Sequence, residues 1–117
     1  MPKSISRTSK PARRKTRAAS LPYEPWLIER LSDPAEAAAY LEAVLEEGDQ
    51  AAVMLALRQL AQAQGGIAKV ARKAKLTREA TYKMLSKSGN PELRSLKAVL
   101  AATGLRIAVR PIEKQAA

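Results

Sequence analysis

Between Ile67 and Leu85 the apolar residues are spaced for two short helices joined by a tight turn. Ile67, Val70, Ala71 and Ala74 fall on one side of the first helix, and Ala80, Thr81, Met84 and Leu85 on one side of the second. Thr77 stands where an N-cap belongs, because its hydroxyl can accept a hydrogen bond from an unpaired amide of the next turn. Ala71 lies where the two helices come closest, so a small side chain fits, and Val70, Leu76 and Met84 fill the joint. Lys75 occupies the turn position, where a positive φ ordinarily favours glycine, and a lysine there must tolerate the strain. Thr81 takes a packing position that suits Val, Ile or Leu, to which its β-branched shape is close. The pattern is a helix-turn-helix, and it makes DNA the first partner to consider.

In such a pair the first helix braces against phosphates and the second lays its N-terminal residues in the major groove. The outward residues of the second helix are Arg78, Glu79, Tyr82, Lys83 and Ser86. Arg78 is the leading candidate for a base contact, since a guanidinium matches the guanine edge bidentately. Glu79 can accept from cytosine or orient Arg78; Tyr82 can meet a thymine methyl or a phosphate; Lys83 can do either job. Lys69, Arg72, Lys73, Ser86 and Lys87, with the amides of Ile67 and Asn90, are candidates for phosphate contacts, which position a protein without reading sequence. A basic helix face is also what an ordinary solvated surface looks like, so spacing alone leaves both readings standing.

Charge favours the first. The chain has 117 residues and a formal net charge of +10, but the charge is partitioned. Residues 1–22 carry seven bases and no acid. Residues 23–66 carry eight acids against Arg30 and Arg58, a net −6. Residues 67–97, which include the helix pair, carry nine bases against Glu79 and Glu92, a net +7. Alternating blocks of opposite sign point to two different partners, one of them polyanionic.

Cysteine and histidine are both absent. Disulfides, the common zinc sites and the usual nucleophile-and-base pairs are excluded with them, and no carboxylate or lysine cluster replaces them. Neither an enzyme nor a cofactor nor a metal is expected. No apolar run approaches the roughly 18 residues of a membrane span, and no apolar stretch follows the basic N-terminus as a secretory signal requires. An Arg/Ser-rich targeting segment stays compatible with that composition. The absence of cysteine fits a reducing cytoplasm.

Abundant Ala and Leu, no Phe and few β-branched residues predict an all-α domain with a small core. Residues 1–22 should be a disordered basic tail, having too little apolar surface to offset the entropy of ordering. Residues 23–48 form an acidic N-terminal segment and helix. Tyr23, Trp26, Leu27, Ile28 and Leu31 supply its first apolar cluster, and Pro22 and Pro25 predict an extended or single-turn stretch there. Asp33, Pro34 and Glu36 then read as a capping box with a first-turn proline, followed by an inward stripe of Ala38, Leu41, Val44 and Leu45 and a stop at Gly48. Residues 49–104 hold the helix-turn-helix domain. Asp49 caps a helix with Val53, Leu57, Leu60 and Ala61 inward; Gly65-Gly66 ends it; the helix pair follows. Ser88-Gly89-Asn90-Pro91 is a loop ending in a cap and a first-turn proline, and the last helix carries Leu93, Leu96, Val99 and Leu100 to Gly104. That makes about five helices. Over residues 105–117 the period changes to alternation: Leu105, Ile107 and Val109 face one way, Arg106, Ala108 and Arg110 the other, until Pro111. A lone strand has no partner in a helical monomer; the economical solution is the same strand of a second copy across a two-fold axis, with packing on its own helices or pairing with a different chain as the alternatives.

The words Tyr40-Leu41-Glu42-Ala43-Val44-Leu45-Glu46-Glu47-Gly48-Asp49, Ala56-Leu57-Arg58-Gln59-Leu60-Ala61, Leu76-Thr77-Arg78-Glu79-Ala80-Thr81-Tyr82-Lys83-Met84-Leu85-Ser86, Gly89-Asn90-Pro91 and Gly104-Leu105-Arg106-Ile107 together resemble the addiction-module antidote family, from about Trp26 to Val109. These are HigA-like antitoxins with a lambda-repressor-like helix-turn-helix of Xre/Cro type. The resemblance implies a bacterial type II antitoxin, cytoplasmic and at the nucleoid when on DNA, that neutralises a RelE/HigB-like toxin, a small basic mRNA-cleaving ribonuclease, and that dimerises, binds an operator and represses its own operon. The family's recognition residues map onto Thr77, Arg78, Glu79, Tyr82 and Lys83. A basic toxin would be drawn to the acidic block, where Tyr23, Trp26, Leu27 and Leu31 are the candidate contacts; the alternative is that these acids are ordinary surface and Trp26 is core. The rival functions are a helix-turn-helix regulator of a phage or mobile element with no toxin, and a purely structural adaptor.

Overall fold

A computed structural model describes residues 23–113. Six helices follow one another: α1 (Pro25–Leu31), α2 (Pro34–Glu47), α3 (Gln50–Ala63), α4 (Ile67–Ala74), α5 (Arg78–Met84) and α6 (Leu93–Ala102). The count is six rather than about five because the stretch expected to be extended or a single turn is a helix. Pro25 sits at its first position, where the missing N–H costs nothing, and Leu31 is driven into the core at 2% exposure. Among the described residues no helix is long and apolar enough to cross a membrane.

The core has two parts. Leu31, Ala37, Leu41, Met54, Ala56, Leu57, Leu60, Leu85 and Leu100 form the larger, with α3 at its centre and α1 and α2 packed against it. Ala61, Val70 and Val99 form the smaller, flanked by Ile67, Ala74, Leu76 and Met84. Cutting Leu60 back to alanine would remove about 2–5 kcal/mol from so small a core.

Helix ends show which local signals prevail. Asp49 caps α3, its carboxylate accepting from the Ala51 amide at 3.0 Å, and Gly48 closes α2 at φ 81°. The capping box at Asp33 does not form: Asp33 makes no side-chain cap bond, and Glu36 instead pairs with the Arg30 guanidinium at 2.8 Å. A charge-assisted bond to a neighbouring helix outcompetes a return to the backbone. The inward stripe of α2 is turned from the expected one. Ala37 and Leu41 are buried, while Leu45 is 55% exposed, because α1 and α3 both lie on the Ala37 side. Likewise α6 starts at Leu93 behind an N-cap at Glu92, not at Asn90-Pro91, so Leu93 is left 65% exposed in its first turn. Ala80, expected inward, is exposed on α5.

Among the described residues there is no strand: residues 105–113 follow α6 without regular secondary structure. Leu105 packs on the larger core, Arg110 meets Glu42 of α2 at 3.4 Å, and Val109 and Ile112 are 92% and 94% exposed. A strand exists only as part of a ladder, and one chain offers this segment no edge to join. The tail expected over 1–22 lies outside the described residues.

Candidate nucleic-acid interface

The α4–α5 pair is built as its spacing requires. Val70 and Ala71 are buried in α4, and Thr81 and Leu85 are buried in α5 and at its end. The joint between the helices is held by backbone. Lys75 adopts φ 61° and ψ 39°, the one left-handed non-glycine residue among those described. The Leu76 amide donates to the Ala71 carbonyl at 2.9 Å across it, which satisfies an otherwise orphaned carbonyl at the end of α4. Thr77 then starts α5, its hydroxyl accepting from the Ala80 amide at 3.0 Å.

Thr81 explains itself one turn later. Its hydroxyl is fully buried and donates to the Thr77 carbonyl at 2.8 Å. A threonine therefore fills a β-branched position without an unsatisfied oxygen, and ties the first turn of α5 to its cap.

The opposite face of α5 is open. Arg78, Glu79, Tyr82 and Lys83 line one shallow surface depression, while Thr77 is exposed beside them. The Arg78 guanidinium lies over the Tyr82 ring, 5.5 Å from its centroid. A cation–π contact between residues four apart holds the arginine along the helix. Glu79 is not what orients Arg78: among the described residues both ion pairs lie elsewhere, at Arg30–Glu36 and Arg110–Glu42. None of the nine cations of residues 67–97 is paired with a carboxylate there, so all are available to an outside anion.

The proposed phosphate contacts split into two groups. Lys69, Arg72 and Lys73 are exposed along α4, and Ile67 stands at its head, with its side chain in the smaller core and its amide among the first-turn N–H groups that no carbonyl of the helix can reach. Ser86 and Asn90 join Lys83 in a second groove, between α5 and the approach to α6, whose floor is Leu76, Ala80, Met84 and Pro91; Lys87 is exposed beside it. Among the described residues no group of three His, Cys, Asp or Glu could hold a metal ion.

The acidic side presents differently. Trp26 is 56% exposed, its indole N–H donating to Glu24 at 3.1 Å, and Tyr23 is exposed near it. Leu27 is partly buried against the larger core. Leu31 is core, so of the four residues expected to meet a toxin it is the one whose side chain has no surface to offer.

A family model described as "Probable addiction module antidote protein" matches residues 26–111, which takes in nearly the whole of α1 to α6. The chain belongs to the addiction-module antidote family. Membership assigns it an antitoxin role and implies a toxin as partner. A relative from Haemophilus influenzae Rd, described as an uncharacterized protein, is 33% identical over 84 residues, covering 72% of this antitoxin and 86% of the relative. No solved structure matches.

Sequence reasoning missed three side chains of this antitoxin. Arg58, counted only as a charge in the acidic block, donates to the Leu85 carbonyl at the end of α5. Gln50 donates to the Gly89 carbonyl at 2.9 Å. Gln59 is buried at 2% exposure and accepts from the Tyr40 hydroxyl at 2.6 Å. For Gln59, a polar residue between the inward Leu57 and Leu60 is the available signal; Arg58 and Gln50 carry none. Burial raises the Tyr40 pKa, and the hydrogen bond to Gln59 offsets part of that rise.

Proposed function

We propose that this antitoxin has a lambda-repressor-like, Xre/Cro-type helix-turn-helix domain and represses its own operon by reading an operator with α5. The observation that carries the reading is the α5 face. Arg78, Glu79, Tyr82 and Lys83 are exposed together on a helix whose other side is buried and whose first turn is fixed by Thr77. Arg78 takes a guanine edge, Tyr82 holds Arg78 and meets a methyl or phosphate, and Glu79 and Lys83 read adjacent positions. Lys69, Arg72, Lys73, Ser86 and Lys87, with the Ile67 and Asn90 amides, follow the phosphates. The chain works in the cytoplasm as a homodimer, with Leu105, Ile107 and Val109 pairing across the two-fold axis; two copies of α5 about one helical turn of DNA apart suit a palindromic operator.

The toxin is a RelE/HigB-like ribonuclease. It docks on the acidic side, where Tyr23 and Trp26 offer exposed aromatic area, Leu27 is partly buried against the larger core, and the net −6 block attracts a basic partner.

Fluorescence anisotropy on DNA from upstream of the coding sequence tests the reading. Arg78→Ala should cost about 1–3 kcal/mol on that DNA and relax preference at one base pair. Equal weakening on every duplex would make Arg78 a phosphate contact, and no salt-sensitive specific binding by the unaltered chain would remove the DNA role. Co-purification with the product of the neighbouring gene tests the toxin.

A further inference from the structure

Helix α5 is seven residues long, too short to hold itself in place in water. Among the described helices only α4 runs close to it backbone to backbone. Its first turn is fixed by Lys75 and Thr77. Its exit is held from a different direction, by α3.

Two side chains of α3 do this, eight residues apart and so separated by about 12 Å along the helix. Arg58 donates to the Leu85 carbonyl, one of the last-turn carbonyls that receives no backbone amide. Gln50 donates to the Gly89 carbonyl. Between these points the chain folds back on the end of α5. The Gly89 amide donates to the Ser86 carbonyl at 2.8 Å, and a Cβ built at Gly89 would lie 2.0 Å from the Met84 carbonyl oxygen. Leu85 itself is fully buried in the larger core. A cation at a helix C-terminus also opposes the carbonyl ends of the peptide dipoles.

We infer that Arg58 and Gln50 are positioning residues for DNA reading: they clamp the exit of α5 to α3 and so set the angle at which Arg78, Glu79, Tyr82 and Lys83 meet base edges. The inference rests on the proposal that α5 reads DNA. It assigns specificity to two side chains that touch no nucleic acid, one of them a cation whose charge would invite a phosphate reading. The distinction is measurable. A lysine or arginine taken off a phosphate flattens the salt dependence of binding by about one unit of slope. A positioning residue leaves the slope alone and lowers discrimination.

The test uses the full chain with the duplex upstream of its coding sequence and a scrambled duplex of equal composition. Arg58→Met keeps the length of the side chain and removes its donors. It should lower the preference for the upstream duplex about tenfold, the scale of one bidentate base contact, with an unchanged salt slope. Arg58→Lys, which keeps one donor, should recover most of the loss. Gln50→Ala, at an exposed position in the first turn of α3, should act in the same direction more weakly and guards against a folding defect in Arg58→Met. Amide exchange in the absence of DNA should quicken at Ser86 and Gly89 in both variants. An undiminished preference, a slope flattened by about one, or unchanged exchange at Ser86 and Gly89 would overturn the clamp. If the unaltered chain does not distinguish the two duplexes, the DNA reading fails instead, and the exchange measurement alone decides whether the clamp exists.

Discussion

The basic and acidic halves of the chain use their polar groups in opposite ways. Around α4 and α5 the fixed polar contacts involve backbone or sit below the surface: the Thr77 cap, the Thr81 hydroxyl, the Arg58 and Gln50 contacts. Apart from Arg78 over Tyr82, the long charged side chains there stand on the outside without a carboxylate partner. Around α1, α2 and the C-terminal segment the order is reversed. Charged side chains pair with one another on the surface, Arg30 with Glu36 and Arg110 with Glu42, where each pair contributes at most about 1 kcal/mol. Uncovered beside the remaining exposed acids are large apolar side chains: Trp26, Leu45, Val109 and Ile112. A surface that meets a regular polyanion needs a fixed frame and free charges. A surface that meets another protein gains from exposed apolar area.

Gly89→Ala should break the first half. A methyl group there collides with backbone rather than with a side chain that could swing away, so a loss of about 3 kcal/mol is expected in urea denaturation. A change below about 0.5 kcal/mol would mean the loop moves freely and holds nothing. Ile107→Asp bears on the other half: light scattering should give half the mass of the unaltered chain, whereas equal masses would reject pairing through the C-terminal segment. Trp26→Ala sharpens the contrast, because an exposed ring contributes little to folding but can anchor a partner. Stability should change by less than about 1 kcal/mol while toxin affinity falls by about 2 kcal/mol; unchanged toxin affinity by calorimetry would move the docking site elsewhere.

The smallest effect concerns the buried seam between α2 and α3. The Tyr40 pKa is raised in the folded chain, chiefly by burial. The unfolded chain therefore ionises first, and stability held below pH 10 is lost as pH climbs through the folded value. Tyr40→Phe should remove that part of the alkaline decline, at a cost of about 1 kcal/mol near neutrality for the lost bond to Gln59. An alkaline limb identical in both proteins would assign the decline to other groups.

The boundaries that were legible in the sequence are those decided within one turn of chain. Asp49, Thr77 and Gly48 each act through their own backbone and nearest amides, and each does what its residue type dictates; Lys75 is set by the turn it occupies, against the preference of its residue type. The α5 surface was legible for the same reason, once the pairing of α4 with α5 was read correctly. Leu45 and Leu93 were misplaced because a helical stripe says that a helix has an inner face, but its rotation depends on which neighbours arrive. The alternation over 105–110 is a true period that a single chain cannot turn into a strand. Arg58 and Gln50 were invisible because their partners lie 27 and 39 residues away, and nothing local marks Leu85 or Gly89 as an acceptor.

Arg78 resting over Tyr82 has a consequence in time rather than in energy alone. An arginine already laid along its helix has little rotamer search left when DNA arrives, and little freedom to recover by letting go. The ring should therefore show itself in how long a complex lasts, with the rate of encounter left to the surrounding lysines. On the proposed reading of the operator by α5, repression would be tuned through residence on the DNA, and Tyr82, which need read no base at all, would be the timer.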